Sequence, residues 1–156
     1  MKNIDIKILF LRLTLGALFL SIGINKINDG WLNSTDDLSS SLNDYSETAT
    51  GFQKQYLDIV AHPYVSLWAK LIAIGEAAIG ASLLLGLLAR FSSAIGLFMV
   101  INLHAANGNL YSLKFFQSPW AALVVACFFA LFLTRSGRTF GLDYYLAKSS
   151  AKSLFW

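Results

Sequence analysis

Cysteine, proline and charge are all scarce in this chain. Cys127 is the one cysteine among 156 residues and lies in an apolar run. An internal disulfide, a CxxC redox pair and a Cys-rich zinc or iron–sulfur site are therefore excluded, and any redox chemistry has to use a bound small molecule or another subunit. The two prolines, Pro63 and Pro119, fall near the starts of apolar runs. Charged residues make up 13% of the chain and apolar ones 56%, whereas a soluble domain has about a quarter charged and roughly half apolar. Lipid has to solvate the excess. The net charge is +3, yet the basic residues sit at the ends of apolar runs and form no patch or stripe. No nucleic-acid partner is expected; these residues are topology signals.

What is present in quantity is apolar sequence in runs of membrane-spanning length. The hydrocarbon core needs about 20 helical residues, and four runs qualify, at about 6–26, 65–88, 91–107 and 119–136. Ser118 is placed to cap the last of them and Pro119 suits its first helical position. A charged start before an apolar run also resembles a signal peptide. No small-x-small site follows cleanly, however, and three more runs come after, so the first run is expected to remain. Strand alternation is missing, which removes the closed barrel. The sequence predicts one all-α domain over 1–156, an integral membrane four-helix bundle with an outer loop over about 27–64 and a tail over about 137–156.

Lysine and arginine set the orientation. With both termini in the cytoplasm, the inner side carries Lys2, Lys7, Arg12, Arg90, Arg135, Arg138, Lys148 and Lys152, against Lys26, Lys54, Lys70 and Lys114 outside. That bias predicts a multi-pass protein of the inner (cytoplasmic) membrane. The outer segment is rich in Ser, Asp and Asn and too hydrophilic for lipid. Within it Phe52, Tyr56, Ile59 and Val60 fall at helical spacing, suiting an amphipathic turn or two at the interface; a loosely ordered loop is the alternative.

Three ionisable residues fall at membrane depth: Arg12, Glu76 and His104. Such groups are costly in lipid and each needs a partner. Counting helical rise from the inner ends puts Glu76 and His104 level, about 20 Å deep, and Arg12 about 10 Å deep, from where its side chain either extends outward toward Glu76 or snorkels inward; sequence does not fix which. Arg12, Gly16, Phe19, Gly23 and Lys26 form one stripe on the first helix, and its glycines permit close helix approach. Ala73, Glu76, Gly80 and Leu83 form a second stripe; Val100, Leu103, His104 and Asn107 form a third. The expected outcome is a polar centre in the outer half, with Glu76 and His104 as catalytic proton carriers and Arg12, Lys26 and Asn107 as ligand-binding groups. Its chemistry suits a quinone headgroup or a small polar metabolite. The competing reading is a buried structural network that locks helix register. A metal site lacks ligands, and haem is disfavoured because His62 precedes Pro63 outside the helix.

The stretches RLTLGALFLSIGINK (Arg12 to Lys26), IGEAAIGASLLLGLLAR (Ile74 to Arg90) and GRTFGLDYYLAK (Gly137 to Lys148) resemble the DoxX/DoxD family of small four-helix membrane proteins. The GE followed by GxxLLLGLLxR and the closing GRxFGLD are similar to its DoxD-type members, the small subunit of thiosulfate:quinone oxidoreductase; INLHAANG (Ile101 to Gly108) matches less specifically. The resemblance implies a membrane subunit working beside a second oxidoreductase subunit, moving electrons from thiosulfate or another sulfur compound to quinone, with quinone as substrate and no covalent cofactor. In the closing motif, the glycines are expected to end the fourth helix and Asp143 to cap the short helix after it or to pair with Arg90 or Arg138.

Two functions of different classes follow. One is the quinone-linked oxidoreductase subunit; the other is a non-catalytic membrane scaffold for a partner enzyme. A homo-oligomer is compatible with either. A transporter is disfavoured by four helices without a broken-helix signal.

Overall fold

The computed structural model describes residues 2–111, 116, 119–134 and 136–149. In chain order these form α1 (Lys2–Asn28), α2 (Asp36–Thr48), α3 (Gly51–Tyr56), a π-helical segment Leu57–Ala61, α4 (Val65–Leu85), α5 (Ala89–Ala106), a 3₁₀ turn Asn109–Tyr111, α6 (Pro119–Thr134), a second 3₁₀ turn Ser136–Arg138, and α7 (Asp143–Ser149). The described residues contain no strand. Three helices are long and apolar enough to cross a membrane, Ile6–Asn28 within α1, Val65–Leu85 and Ala89–Ala106, and α6 is a shorter apolar helix. The chain is an all-α, multi-pass membrane protein. Large apolar side chains such as Phe10, Leu67, Phe98 and Leu123 lie exposed on these four helices, an outer surface that suits lipid and not water.

Local sequence explains where the helices stop and touch. Gly86 closes α4 in the left-handed conformation at φ 63°. Its N–H donates to Leu83 O and the Leu87 N–H to Ser82 O, a Schellman ending that satisfies two terminal carbonyls. α4 thus stops at Leu85, three residues earlier than the apolar run suggested, because glycine ends the helix while Leu87 and Leu88 prolong the hydrophobicity. Pro119 opens α6 as expected; Ser118 lies outside the described residues.

α1 packs along α4, α5 against α6, and α4 on α5, with lighter contact between α1 and α6. The α1–α4 seam is built on small residues: a Cβ on Gly80 would run into the Leu20 backbone, and one on Gly23 into Ala77. Gly96 makes room for the Phe128 ring in the α5–α6 seam. Between the seams lies a core of Leu15, Phe19, Ile79, Leu83, Phe128 and Leu131.

The segment expected as an outer loop is largely helical. Leu38 and Leu42, one turn apart on α2, are buried with Leu57 and Ala61 against Ala69 and Ala106, forming a second small core. Full burial of Leu57 alone contributes about 2 kcal/mol. Asp36 and Asp37 occupy the first turn of α2, where the helix dipole favours acids. Of the four residues at helical spacing, Phe52 is 78% and Ile59 67% exposed and Tyr56 and Val60 are half-buried, while Leu57 is fully buried, so the face turned to the protein is shifted from theirs. The π turn accounts for part of this shift. The His62 N–H donates to Leu57 O, an i→i+5 step that changes the phase of the helix relative to a 3.6-residue period.

Candidate functional site

The cap of α2, α3 and the π segment sits over a cavity of about 510 Å³ between the helix pairs, within the range of small-molecule sites. Leu18, Ile22, Ile72, Met99 and Val124 give it an apolar body, and Phe19 lines it lower down. Phe19 is held edge-on by Phe128, with ring centroids 4.8 Å apart. Aromatic groups crowd the other end: Trp31, Tyr45, Tyr56 and Trp68 all line the space.

One ion pair lies in this apolar lining. Lys26 Nζ is 2.7 Å from Glu76 Oε1, and the two side chains are 23% and 13% exposed. Glu76 Oε2 is buried and has no hydrogen-bond partner among the described residues. A carboxylate oxygen left so is costly and marks an unfilled acceptor position at the cavity wall. The ammonium also lies 5.0 Å from the centre of the Trp31 ring, a cation–π contact that restrains the lysine. Trp31 is itself held by its Nε1–H donating to Asp37 Oδ2 at 3.1 Å.

His104 lines the same cavity. Its Nδ1 lies 3.3 Å from Asn107 Nδ2, and Asn107 Oδ1 accepts the Asn109 N–H at 3.0 Å. That second bond fixes which end of the amide is oxygen, so the amide nitrogen donates to Nδ1 and the imidazole proton sits on Nε2. Asn107 therefore orients His104 and does not itself line the cavity.

The cap is fastened by polar contacts. Gln53 donates to Ala106 O at 3.1 Å, the Tyr56 hydroxyl donates to Asn102 Oδ1, and Trp68 Nε1–H donates to Val60 O at 2.9 Å. Burial pushes the Tyr56 phenol above its ordinary pKa of 10.0, helped by the nearby Tyr111.

Arg12 is absent from this site. It lies roughly 20 Å along α1 from Lys26, fully buried, with its guanidinium donating to Ser136 O (2.5 Å), Thr139 O (3.0 Å) and Phe140 O (3.3 Å). The planar fork of donors suits a ring of carbonyls, and Gly86 and Gly141 leave the space it fills. The Asp143 carboxylate completes this knot, though not as expected. Its oxygens accept the N–H groups of Leu88 (2.6 Å) and Ala89 (2.9 Å), so it caps α5 across the fold and not the short helix that it begins. Leu88 needs that support because it holds a positive φ of 51°, a strained conformation for leucine. Backbone bonds from Leu142 to Leu85 O and from Asp143 to Gly86 O pin the tail beneath the α4–α5 turn.

Of the five residues singled out from sequence, the structure brings Lys26, Glu76 and His104 to one cavity, sets Asn107 behind His104, and separates Arg12 from them. His62 hydrogen-bonds Ser46 at 2.9 Å, and Lys70 is exposed; neither lines the cavity. Sequence reasoning missed Trp31, Tyr45, Trp68 and Asn102. Trp68, Ile72 and Glu76 recur at spacings of four, which was a usable signal for the α4 part. Trp31 and Tyr45 reach the cavity only because the cap folds back. Among the described residues no cluster of three His, Cys, Asp or Glu side chains converges as a metal site.

The family model described as TQO small subunit DoxD matches residues 8–155. Comparison with curated proteins and with solved structures yields no match.

Proposed function

This chain belongs to the DoxD family, and from that premise we propose that it is the membrane subunit of a thiosulfate:quinone oxidoreductase, holding the quinone ring beside Lys26, Glu76 and His104. The observation that carries the reading is the buried Glu76 Oε2, without a partner among the described residues, in a largely apolar, aromatic-walled cavity: as a carboxylate it accepts from a quinol hydroxyl, and protonated it donates to a quinone oxygen. Reducing a quinone adds two electrons and two protons to its oxygens. Lys26 donates a hydrogen bond to one quinone oxygen and stabilises the charge that develops there. Glu76 and His104, oriented by Asn107, relay protons. Electrons arrive from thiosulfate or another sulfur compound by way of a second oxidoreductase subunit. Quinone is substrate here, and the reading requires no covalent cofactor.

The same reading takes α1, α4, α5 and α6 as a four-helix bundle spanning the inner membrane as one domain, with both termini cytoplasmic. Lysine and arginine bias supports that orientation, and it puts the cap and the cavity on the outer side. Arg12 then serves architecture at the inner end. A membrane scaffold is the second reading, favoured by the way the Lys26–Glu76 pair locks α1 to α4.

Membranes carrying this chain together with its partner subunit separate the two. The catalytic reading expects thiosulfate-dependent quinol formation that Glu76→Gln reduces at least about tenfold, or 1.4 kcal/mol in barrier. Unchanged turnover in that variant removes Glu76 from the mechanism.

A further inference from the structure

The wall of the cavity is uneven between α4 and α5. Leu71 and Gly75 lie one turn apart on α4, and Phe98 and Asn102 one turn apart on α5; all four line the cavity. Leu71 and Phe98 are also 50% and 59% exposed on the outside of the molecule. The lining thus runs without a break from the buried Glu76 carboxylate to side chains on the outer, apolar surface of the helices. Gly75 belongs to this stretch of the lining, and a Cβ there would come within 3.3 Å of Met99 Sδ. A flexible thioether and a missing side chain face each other across the seam. On the other side, Gln53, Tyr56 and Trp68 fasten the cap to the helices below and beside it.

We infer that the ligand of this cavity is an amphiphile dissolved in the bilayer, whose headgroup reaches Lys26 and Glu76 while its apolar tail lies out through a window between α4 and α5, with Gly75 as the residue that sets tail specificity. The inference rests on the quinone-site reading and adds a direction and a selectivity to it. A headgroup arriving sideways never has to displace the cap. The tail replaces lipid contacts with contacts to Leu71, Met99 and Phe98, so tail burial favours binding in proportion to the apolar area covered.

The test compares two benzoquinones of identical headgroup, one without a tail and one with a long polyisoprenoid tail, on the full chain in lipid nanodiscs. Three of the four tryptophans, Trp31, Trp68 and Trp120, line the cavity, so quenching of their emission reports occupancy. In wild type both quinones should quench saturably, the tailed one more tightly. Gly75→Leu, which fills the window, should weaken the tailed quinone by about tenfold or more and leave the tail-free quinone within about twofold. Leu71→Trp, on the lipid-facing shoulder and away from the charged pair, should shift the same way by a smaller factor.

Failure to quench by either quinone in wild type overturns the quinone site itself. Binding of both by wild type, with no tail-dependent change in either variant, overturns the window and leaves the quinone site standing. Equal loss of both quinones in Gly75→Leu overturns it as well unless Leu71→Trp still discriminates by tail.

Discussion

Glu76 meets Lys26 through one carboxylate oxygen at 2.7 Å and keeps the other buried without a partner among the described residues. Half of the carboxylate is neutralised and half is available. Removing either partner exposes the asymmetry. Lys26→Met strands a mostly buried negative charge and should destabilise the protein by on the order of 3 kcal/mol, read as a fall in thermal midpoint in detergent. Glu76→Gln keeps a hydrogen-bonding amide and should cost less. The double variant Lys26→Met/Glu76→Leu should recover much of the loss, and a double variant no better than Lys26→Met alone would show that the pair is not what couples α1 to α4.

Arg12 makes a prediction of the opposite kind. Its three carbonyl partners lie between Ser136 and Phe140, just after α6, so Arg12→Lys keeps the charge but not the fork, and should lose about 1–3 kcal/mol for each carbonyl left dry. Quinone affinity of the fraction that still folds should be unchanged. A selective loss of binding with normal stability would return Arg12 to the cavity, where the sequence stripe had put it.

Gly80 in the α1–α4 seam and Gly30 in the turn after α1 have different roles. Gly80→Val should disrupt assembly, since its side chain meets the Leu20 backbone, which cannot yield. Gly30 has a φ of 88° but open space around it, so Gly30→Ala should cost only the conformational strain, about 1–2 kcal/mol. Yields of folded protein from the two variants, compared by size-exclusion chromatography, check this.

Tyr56 gives the cap an alkaline limit. Its pKa is raised above 10.0 in the folded state, chiefly by burial, so the folded chain holds this proton more tightly than the unfolded one. The corresponding stability is fully present below pH 10 and is lost as pH rises through the folded value. Above that point the hydroxyl no longer donates to Asn102, and the cap should loosen. Limited proteolysis of the segment 29–61 as a function of pH should show the transition in wild type. Tyr56→Phe should be cleaved faster at neutral pH and lack the Tyr56 step.

Long apolar runs made the spanning helices readable from sequence, because their length and composition alone decide between water and lipid. The small-residue stripes were readable too: Gly16, Gly23 and Gly80 do lie in a helix seam. The cap was harder, since Leu38 and Leu42 are sparse among Ser and Asp, and a π turn breaks the period just where Phe52, Tyr56, Ile59 and Val60 suggested one face. The course of Arg12 was left open between Glu76 and the inner end, because depth along a helix is calculable but the direction of a long side chain is not. Its destination depends on the tail folding under the α4–α5 turn, a long-range contact. The same contact turned Asp143 from a local cap into the cap of α5.

The most direct measurement is a tryptophan-quenching titration of the purified chain in nanodiscs with a tailed benzoquinone, set beside the same titration of Glu76→Gln. The expected result is saturable quenching in wild type and an affinity lower by about tenfold in the variant, with the two proteins equally folded by circular dichroism. Quenching that rises linearly without saturation, or that saturates alike in both proteins, would contradict a quinone site built on Glu76.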